Sequence, residues 1–194
     1  GFNRLFDKVI LIPVSTLYQK VIPEPTKECV ANVLDNLFSP VTFIGNILQG
    51  RPDHAMETLG RFLVNSTVGL FGAFDAGTAL GLQKRTTFFD DTFACWGMEP
   101  GPYLMLPFLG PTTFRGGTGM ACDWFSDPLN YYIHPKRWSY IREGIYIVHK
   151  RAELLDPLQD LEDESLDFYI SVRSFYFQLL EQRQKKRAQQ NKEK

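Results

Sequence analysis

Nowhere in this 194-residue chain do about eighteen apolar residues run without interruption, so no single long helix is expected to cross a bilayer. Cysteine is scarce: Cys29, Cys95 and Cys122 are odd in number, far apart and without a CxxC pair. That excludes a sequence-marked metal or redox motif and reads as three buried free thiols. Surplus positive charge is missing too. The net charge of −1 leaves no cationic excess to meet phosphates, so no nucleic-acid partner is expected. Marks of catalysis are equally thin. His54, His134 and His149 lack metal-ligand spacing and read as surface or helix-end residues. No GxSxG elbow occurs, and RGGTG at Arg115 to Gly119 lacks the Lys-Ser/Thr of a phosphate-binding loop. Asp90 and Asp91 read as a solvated turn or helix cap rather than an acid/base pair. No enzyme activity, metal or cofactor is expected.

What the chain does have is rings. Hydrophobic residues make up an ordinary 44%, but aromatics reach 14%, which suits cores, interfaces and the boundary between water and lipid. The length fits one domain with its own core. Charge is unevenly spread: Glu181 to Lys194 carries a local +4, leaving about −5 elsewhere. Those cations read as a solvated helix end, or as a contact for anionic lipid or an acidic partner. There is no signal peptide, and because the chain opens on Gly1 rather than Met, any targeting segment is expected to have been removed upstream.

Apolar positions 9, 10, 14, 17, 18 and 21 follow helical steps, with Pro13 as a break or a new first turn. Pro23 and Pro25 end that helix, and Thr26 caps a second one striped by Cys29, Val30, Val33, Leu34, Leu37 and Phe38. Ser39 and Pro40 mark the start of a third, running to Gln49 with Ile44, Ile47 and Leu48 facing inward. Pro52 and Asp53 open a fourth, carrying Met56, Leu59, Phe62 and Leu63 and running into VGLFGAF at 68 to 74. From Gly81 to Gly101 periodicity is lost and loop or short strand is expected; RGGTG reads as a flexible turn. A short helix starts at Ser126 or Asp127 with Pro128. A long one follows Pro135, striped by Trp138, Ile141, Ile145, Val148, Ala152 and Leu155. Asp156 and Pro157 stop it before an acidic loop. The last helix, from about Ser165, is apolar nearly all round, with Leu166, Phe168, Tyr169, Val172, Tyr176 and Leu180 among its stripes, so protein or lipid should cover most of it. The fold class is all-α: a helical domain over residues 1–180, then a polar, basic helix end or tail over 181–194.

One stretch fits none of these helices. GPYLMLPFLGPTTF, Gly101 to Phe114, is apolar through its middle but broken by three prolines and two glycines. Together with the amphipathic helices and the many aromatics, it points to a protein that handles or sits in an apolar phase, although an ordinary helical core explains the stripes as well.

NVLDNLFSP (Asn32 to Pro40), NILQG (Asn46 to Gly50), NSTVGLFGAFDAG (Asn65 to Gly77), WGMEPGPYLMLPFLGPTTFR (Trp96 to Arg115) and RAELLD (Arg151 to Asp156) follow one another along the chain. In that order they resemble the blocks of the MlaA/VacJ family of outer-membrane lipoproteins, over residues 2 to 178. The resemblance implies an all-α, ring-like single domain of amphipathic helices around a central channel, lying in the periplasmic leaflet of the Gram-negative outer membrane. It implies a protein that removes mislocalised phospholipid from the outer leaflet and passes it to a soluble periplasmic lipid-carrier protein, that associates with trimeric porins, and that does no covalent chemistry. Three departures stand out. The lipidated cysteine would lie upstream of Gly1, Arg115-Gly116 stands where the family usually has Arg-Asp, and Val33 stands where it usually has Phe.

On this reading GPYLMLPFLGPTTF forms part of the ring wall, since irregular backbone survives at membrane depth only when packed in protein or lining a wet cavity. Tyr103, Leu104, Leu106, Phe108 and Leu109 would meet acyl chains or neighbouring helices. Arg142, beside Ile141 and Ile145, is the candidate to meet the headgroup phosphate, with a surface cation near Glu143 as the alternative. Arg142→Glu is accordingly expected to stop lipid movement without unfolding the chain. Asn32 and Asn36, one turn apart, would bond irregular backbone or line the channel. Gly69, Gly72, Gly77, Gly110, Gly116, Gly117 and Gly119 would permit close packing or hinge motion. The competing reading is a soluble helical interaction or scaffold module with all apolar faces internal and no lipid passage.

Overall fold

Residues 2–107, 109–132, 135–165 and 167–190 are described by the structure, a computed structural model. Helix α1 (Phe2–Phe6) passes through a π-helical turn (Asp7–Leu11) into α2 (Ile12–Val21); α3 spans Glu24–Leu48 and α4 Pro52–Thr67. Each of α2, α3 and α4 has a proline in its first turn, where the missing N–H is not needed. The two helices expected over 26–49 are one, with Pro40 inside it. An interior proline costs about 3 kcal/mol, and α3 withstands it because α4, α6 and α9 all pack along it. Beside the proline, the Ser39 hydroxyl donates to the Asp35 carbonyl at 3.0 Å.

Downstream, α5 (Ala76–Ala79) is followed by α6 (Phe89–Cys95), which replaces part of the loop expected over 81–101. With seven residues it is too short to display a period; its mark is Asp91, whose carboxylate accepts the Phe88 N–H at 3.0 Å. The proline-broken apolar segment is a β-hairpin. Strand β1 (Tyr103–Leu106) pairs antiparallel with β2 (Gly110–Thr113), Tyr103 opposite Thr113 and Leu106 opposite Gly110. RGGTG is helical rather than a flexible turn: it lies in α7 (Phe114–Ser126), capped by Thr113, whose hydroxyl accepts the Gly116 N–H at 3.2 Å. Its glycines answer crowding, since a Cβ on Gly116 would sit 2.5 Å from Thr112 Oγ1 and one on Gly119 2.5 Å from the Asp90 nitrogen.

Asp127 starts α8 (Leu129–Tyr132) by accepting the Leu129 N–H at 2.9 Å. Then come α9 (Arg137–Glu153), α10 (Leu155–Glu164) and α11 (Phe168–Gln190). The acidic loop expected after Pro157 is therefore a helix, because a proline in the first turn is compatible with helix start. The polar end of α11 stays helical through Gln190. Packing closes a circuit: α3 lies on α6, α6 on α7, α7 on the hairpin, the hairpin on α11, α11 on α10, α10 on α9, and α9 on α3 again.

Around this circuit the helices present the reverse of a water-soluble bundle's faces. Among the described residues, nineteen polar or charged side chains are buried against eight apolar ones. Ile47 and Leu48, expected inward, are exposed, and α3 buries Thr42, Gly45 and Asn46 instead. Trp138, Ile141 and Ile145 of the long apolar stripe face outward, while Ser139, Arg142 and His149 are buried. His54 is buried as well, so neither described histidine is a surface residue, and Cys95 is exposed rather than buried. The third histidine, His134, lies outside the described residues, as does Leu166.

Candidate functional site: a polar interior behind an apolar shell

Between α3 and α4 the polar faces meet. Asn46 donates to Thr58 Oγ1 at 3.2 Å and to the Arg85 carbonyl at 3.3 Å, and Thr42 donates to the Thr87 carbonyl at 3.3 Å. Next to them a small polar pocket is walled by Asp35 and Asn36 of α3, Arg61 and Asn65 of α4, and Lys84 and Arg85. Its cations all have carboxylates: Arg61 grips Asp75 with two bonds of 2.7 and 2.8 Å, Arg85 meets Glu57 at 2.8 Å, and Lys84 meets Asp35. Burial pushes the Asp75 carboxyl up, but hydrogen bonds from Thr78 and Arg61 outweigh it and hold the group at about 2. Next to this pocket, sharing Ser39 and Thr58 with it, Pro40, Phe43, Ile44, Leu59 and Phe62 line an open apolar groove of about 220 Å³.

Helix α9 carries the second polar wall. Ser139, Arg142 and His149 fall at helical spacing on one buried face. Arg142 is 7% exposed, and a single nitrogen, Nη2, makes all its ionic and hydrogen-bond contacts: Asp127 at 2.5 Å, Glu143 at 2.9 Å and Asn130 Oδ1 at 3.4 Å. Its Nε and Nη1 have no partner among the described residues, nor does Ser139 Oγ. The Phe38 ring of α3 lies against the guanidinium, 4.9 Å from centroid to Cζ. Farther along, α2 fastens to α9 through Tyr18 and His149 Nδ1 at 3.1 Å and through Gln19, which donates to the Ala152 carbonyl at 2.8 Å. Burial lowers the His149 pKa, against the raising influence of Glu153. On α7, Asp123 is pushed up to about 7, first by burial; the Phe89 N–H opposes this, and Asp91, Asp90 and Glu143 add to it.

The exterior is apolar where these interiors are polar. Val14, Leu17, Leu63, Val68, Trp138 and Ile145 all stand exposed, and Phe71, at 82%, is nearly free. Leu70 and Phe71 also hold positive φ angles of 51° and 58°, conformations that non-glycine residues seldom adopt. Among the described residues no helix is long and apolar enough to cross a membrane.

The MlaA lipoprotein family matches residues 1–184. This chain belongs to the MlaA lipoprotein family. The Escherichia coli intermembrane phospholipid transport system lipoprotein MlaA is 34% identical over 192 residues, covering 92% of this chain and 74% of its own. A protein of Rickettsia prowazekii is 33% identical, over 90% of this chain and 69% of its own. A chain solved in work on the structural basis for maintenance of bacterial outer membrane lipid asymmetry superposes with a TM-score of 0.74 at 32% identity, over 92% of this chain and 94% of that one.

Within this MlaA fold the residues singled out from sequence fall in different places. Tyr103 packs edge-on against Tyr169 and Tyr176 and tilted against Phe177 of α11, while Leu104 and Leu106 are half-buried and Leu109 is exposed. Phe108 lies outside the described residues. Asn36 donates to Ser66 Oγ at 3.0 Å and the Phe71 carbonyl at 3.4 Å, so it holds the apolar 68–74 loop rather than the hairpin; Asn32 is half-buried. Gly72 lies against Asn36, and Gly69 against Phe74 O and Asn65 O. Gly77 lies against Arg61, Gly117 has only ordinary contacts, and Gly110 is open. Arg115, although followed by glycine, still has a carboxylate: its Nε meets Asp90 at 2.7 Å and its Nη1 donates to the Met98 carbonyl at 2.7 Å.

Arg142 is not a surface cation, and charge reversal there would set a third carboxylate beside Asp127 and Glu143, so Arg142→Glu would disturb folding, against the expectation that the chain stays folded. Of the carboxylates that meet these cations, Asp75 is unmarked in the sequence, whereas Asp90 reads there as a solvated turn or helix cap and Asp127 as a helix start. Arg61 and Arg142 themselves lie on polar stripes: Thr58, Arg61 and Asn65, like Ser139, Arg142 and His149, keep helical spacing.

Proposed function

We propose that this chain transports phospholipid at the outer membrane, taking lipid mislocalised in the outer leaflet through a wet, polar-lined passage and handing it on at the periplasmic side. The observation that carries the reading is the reversal of faces: polar side chains fill the interior while large apolar ones stand outside. A helix set that points Val14, Leu63, Phe71 and Ile145 at its surroundings is suited to hydrocarbon and poorly suited to water. The soluble interaction module, which needs internal apolar faces, is opposed by the same pattern. Names of relatives agree, since the E. coli relative is an intermembrane phospholipid transport lipoprotein.

In this reading the headgroup travels past the polar walls of α3, α4 and α9, so its charge never enters hydrocarbon, where a charged group costs at least about 2.5 kcal/mol. Arg142 meets the phosphate. Leu104, Leu106, Leu109 and the edge of Tyr103 form an apolar wall along which the tails slide, and Asn32 and Asn36 stand on the polar side. The chain lies in the periplasmic leaflet, held in the full-length protein by a lipid anchor upstream of Gly1, next to trimeric porins and within reach of a soluble lipid carrier. It carries out no covalent step. Thin-layer analysis of lipid co-purifying from mild detergent tests the reading: phospholipid bound to the protein is the expected result, and lipid-free protein under the same conditions overturns it.

A further inference from the structure

The exposed surface sorts its rings by kind. Among the described residues seven Trp and Tyr side chains stand exposed. Five of them, Trp124, Tyr131, Tyr132, Trp138 and Tyr140, sit on the end of α7, on α8 and on the first turn of α9, with the exposed Phe125 beside them. Helices α2 and α4 and the 68–74 loop expose no Trp or Tyr and present Val14, Leu17, Leu63 and Phe71 instead. Bonds hold the aromatic face together. The Tyr131 hydroxyl donates to the Phe125 carbonyl at 2.9 Å, Asn130 donates to the Trp124 carbonyl at 2.8 Å, and the Trp124 and Phe125 rings meet edge-on with centroids 5.2 Å apart. Trp and Tyr join an apolar ring to a polar N–H or O–H, so open water leaves the ring unburied and hydrocarbon leaves the polar end unpaired. The level of the lipid headgroups suits both ends.

Charge on this face is a second observation. Lys136 is the N-cap residue of α9 and Arg137 its first helical one; both are exposed, and Arg137 Cζ lies 5.9 Å from the Trp138 ring centroid. Lys8, Lys84, Lys150 and Lys185 elsewhere on the surface each have a carboxylate, whereas Lys136 and Arg137 have none among the described residues. The acidic residues nearest in sequence do not reach the surface to offset them, since Asp123 is half-buried and Asp127 buried. Cations at a helix N-terminus also oppose the helix dipole, and the first turn of α9 has no acidic residue. Anionic groups from outside the chain complete this arrangement.

We propose that the aromatic and basic face formed by α7, α8 and the start of α9 is a membrane-interface surface for anionic phospholipid headgroups. Its rings stand at the boundary of headgroups and acyl chains, Lys136 and Arg137 meet the phosphates, and the face fixes the depth at which the chain rides. The proposal goes beyond the transport reading, in which lipid is cargo; here lipid is the surface on which the chain stands.

The test reads Trp124 and Trp138 fluorescence in a Trp96→Phe chain bound to vesicles whose lipids carry bromine either near the headgroup or near the acyl terminus. Stronger quenching by the shallow bromine is expected. In flotation, binding to an equimolar mixture of phosphatidylglycerol and phosphatidylcholine is expected to be about tenfold tighter than to phosphatidylcholine alone. That preference should fall to near parity in the Lys136→Gln/Arg137→Gln chain and shrink in high salt for the native one. Both substituted positions are exposed, so the circular dichroism of the detergent-solubilised chain should not change, and the depth measurement needs neither charge substitution. Stronger quenching by the deep bromine, equal binding to the two vesicle types, or a preference retained by the double variant overturns the proposal. Flotation without quenching from either depth assigns the face to a protein partner or a second copy, and also overturns it, with transport left standing. A chain that neither floats with vesicles nor carries phospholipid out of mild detergent overturns both.

Discussion

At the scale of single residues, stability rests on ion pairs that join distant segments. Arg115 is 2% exposed and ties α7 to Asp90 of α6 and to the Met98 carbonyl. Removing one partner of such a buried pair leaves an uncompensated charge, so Arg115→Ala is expected to cost about 3–5 kcal/mol, read from denaturant unfolding in detergent. Gly72 is a second such point. Its φ is +95° and a Cβ there would come within 2.6 Å of Asn36 Cβ, so Gly72→Ala is expected to destabilise by more than the ~1 kcal/mol of an unstrained glycine change, measured by thermal melting. The Arg61–Asp75 grip gives a pH signature. Asp75 titrates at about 2 in the folded chain against an ordinary 3.8, so its contribution is in place above about pH 4 and is lost as pH falls through 2. Melting curves between pH 5 and pH 2 should therefore fall less steeply for Asp75→Asn than for the native chain.

At the scale of elements, the sequence located the helices better than it oriented them. An apolar stripe at 3.6-residue spacing fits a helix buried in a core and one lying against lipid equally well: Ile47 and Leu48, expected inward, stand exposed, and the stripe of Ile141 and Ile145, whose direction the spacing leaves open, faces outward. The polar stripes carried the missing information. Thr42 with Asn46, Thr58 with Arg61 and Asn65, and Ser139 with Arg142 and His149 keep helical spacing that a solvated face has no reason to keep, and all of them are buried. Other features had no local signal. The Asp7–Arg151 pair, at 2.7 Å, joins residues 144 positions apart, and α6 is too short for a period. Pro40 read as a helix start because its usual place is the first turn, and packing on both sides of α3 overrode that preference. The hairpin was legible only as a path that could not be helical. An element-scale consequence follows for α9: Ile145→Asp puts a charge on the outward face and should weaken vesicle association by about 3 kcal/mol while leaving the circular dichroism of the detergent-solubilised chain unchanged. An unchanged partition in a vesicle flotation assay would place that face in water.

At the scale of the whole molecule, the circuit of contacts through α3, α6, α7, the hairpin, α11, α10 and α9 carries buried polar stripes on α3 and α9 and large exposed apolar side chains, while α10 and α11 bury Leu155, Val172 and Leu180. A chain with so few buried apolar side chains draws much of its stability from its surroundings, and transfer from detergent to plain buffer is expected to lower the melting temperature and promote association. The most direct test is spin-label accessibility after reconstitution into phospholipid vesicles, on a background with Cys29, Cys95 and Cys122 replaced by serine. Nitroxides at Leu63, Phe71 and Ile145 are expected to be relaxed by oxygen and shielded from a water-soluble nickel chelate, and one at Ser139 is expected to show the reverse. Nickel-accessible labels at Leu63, Phe71 and Ile145 would contradict the placement of this face among acyl chains, and with it the polar passage behind.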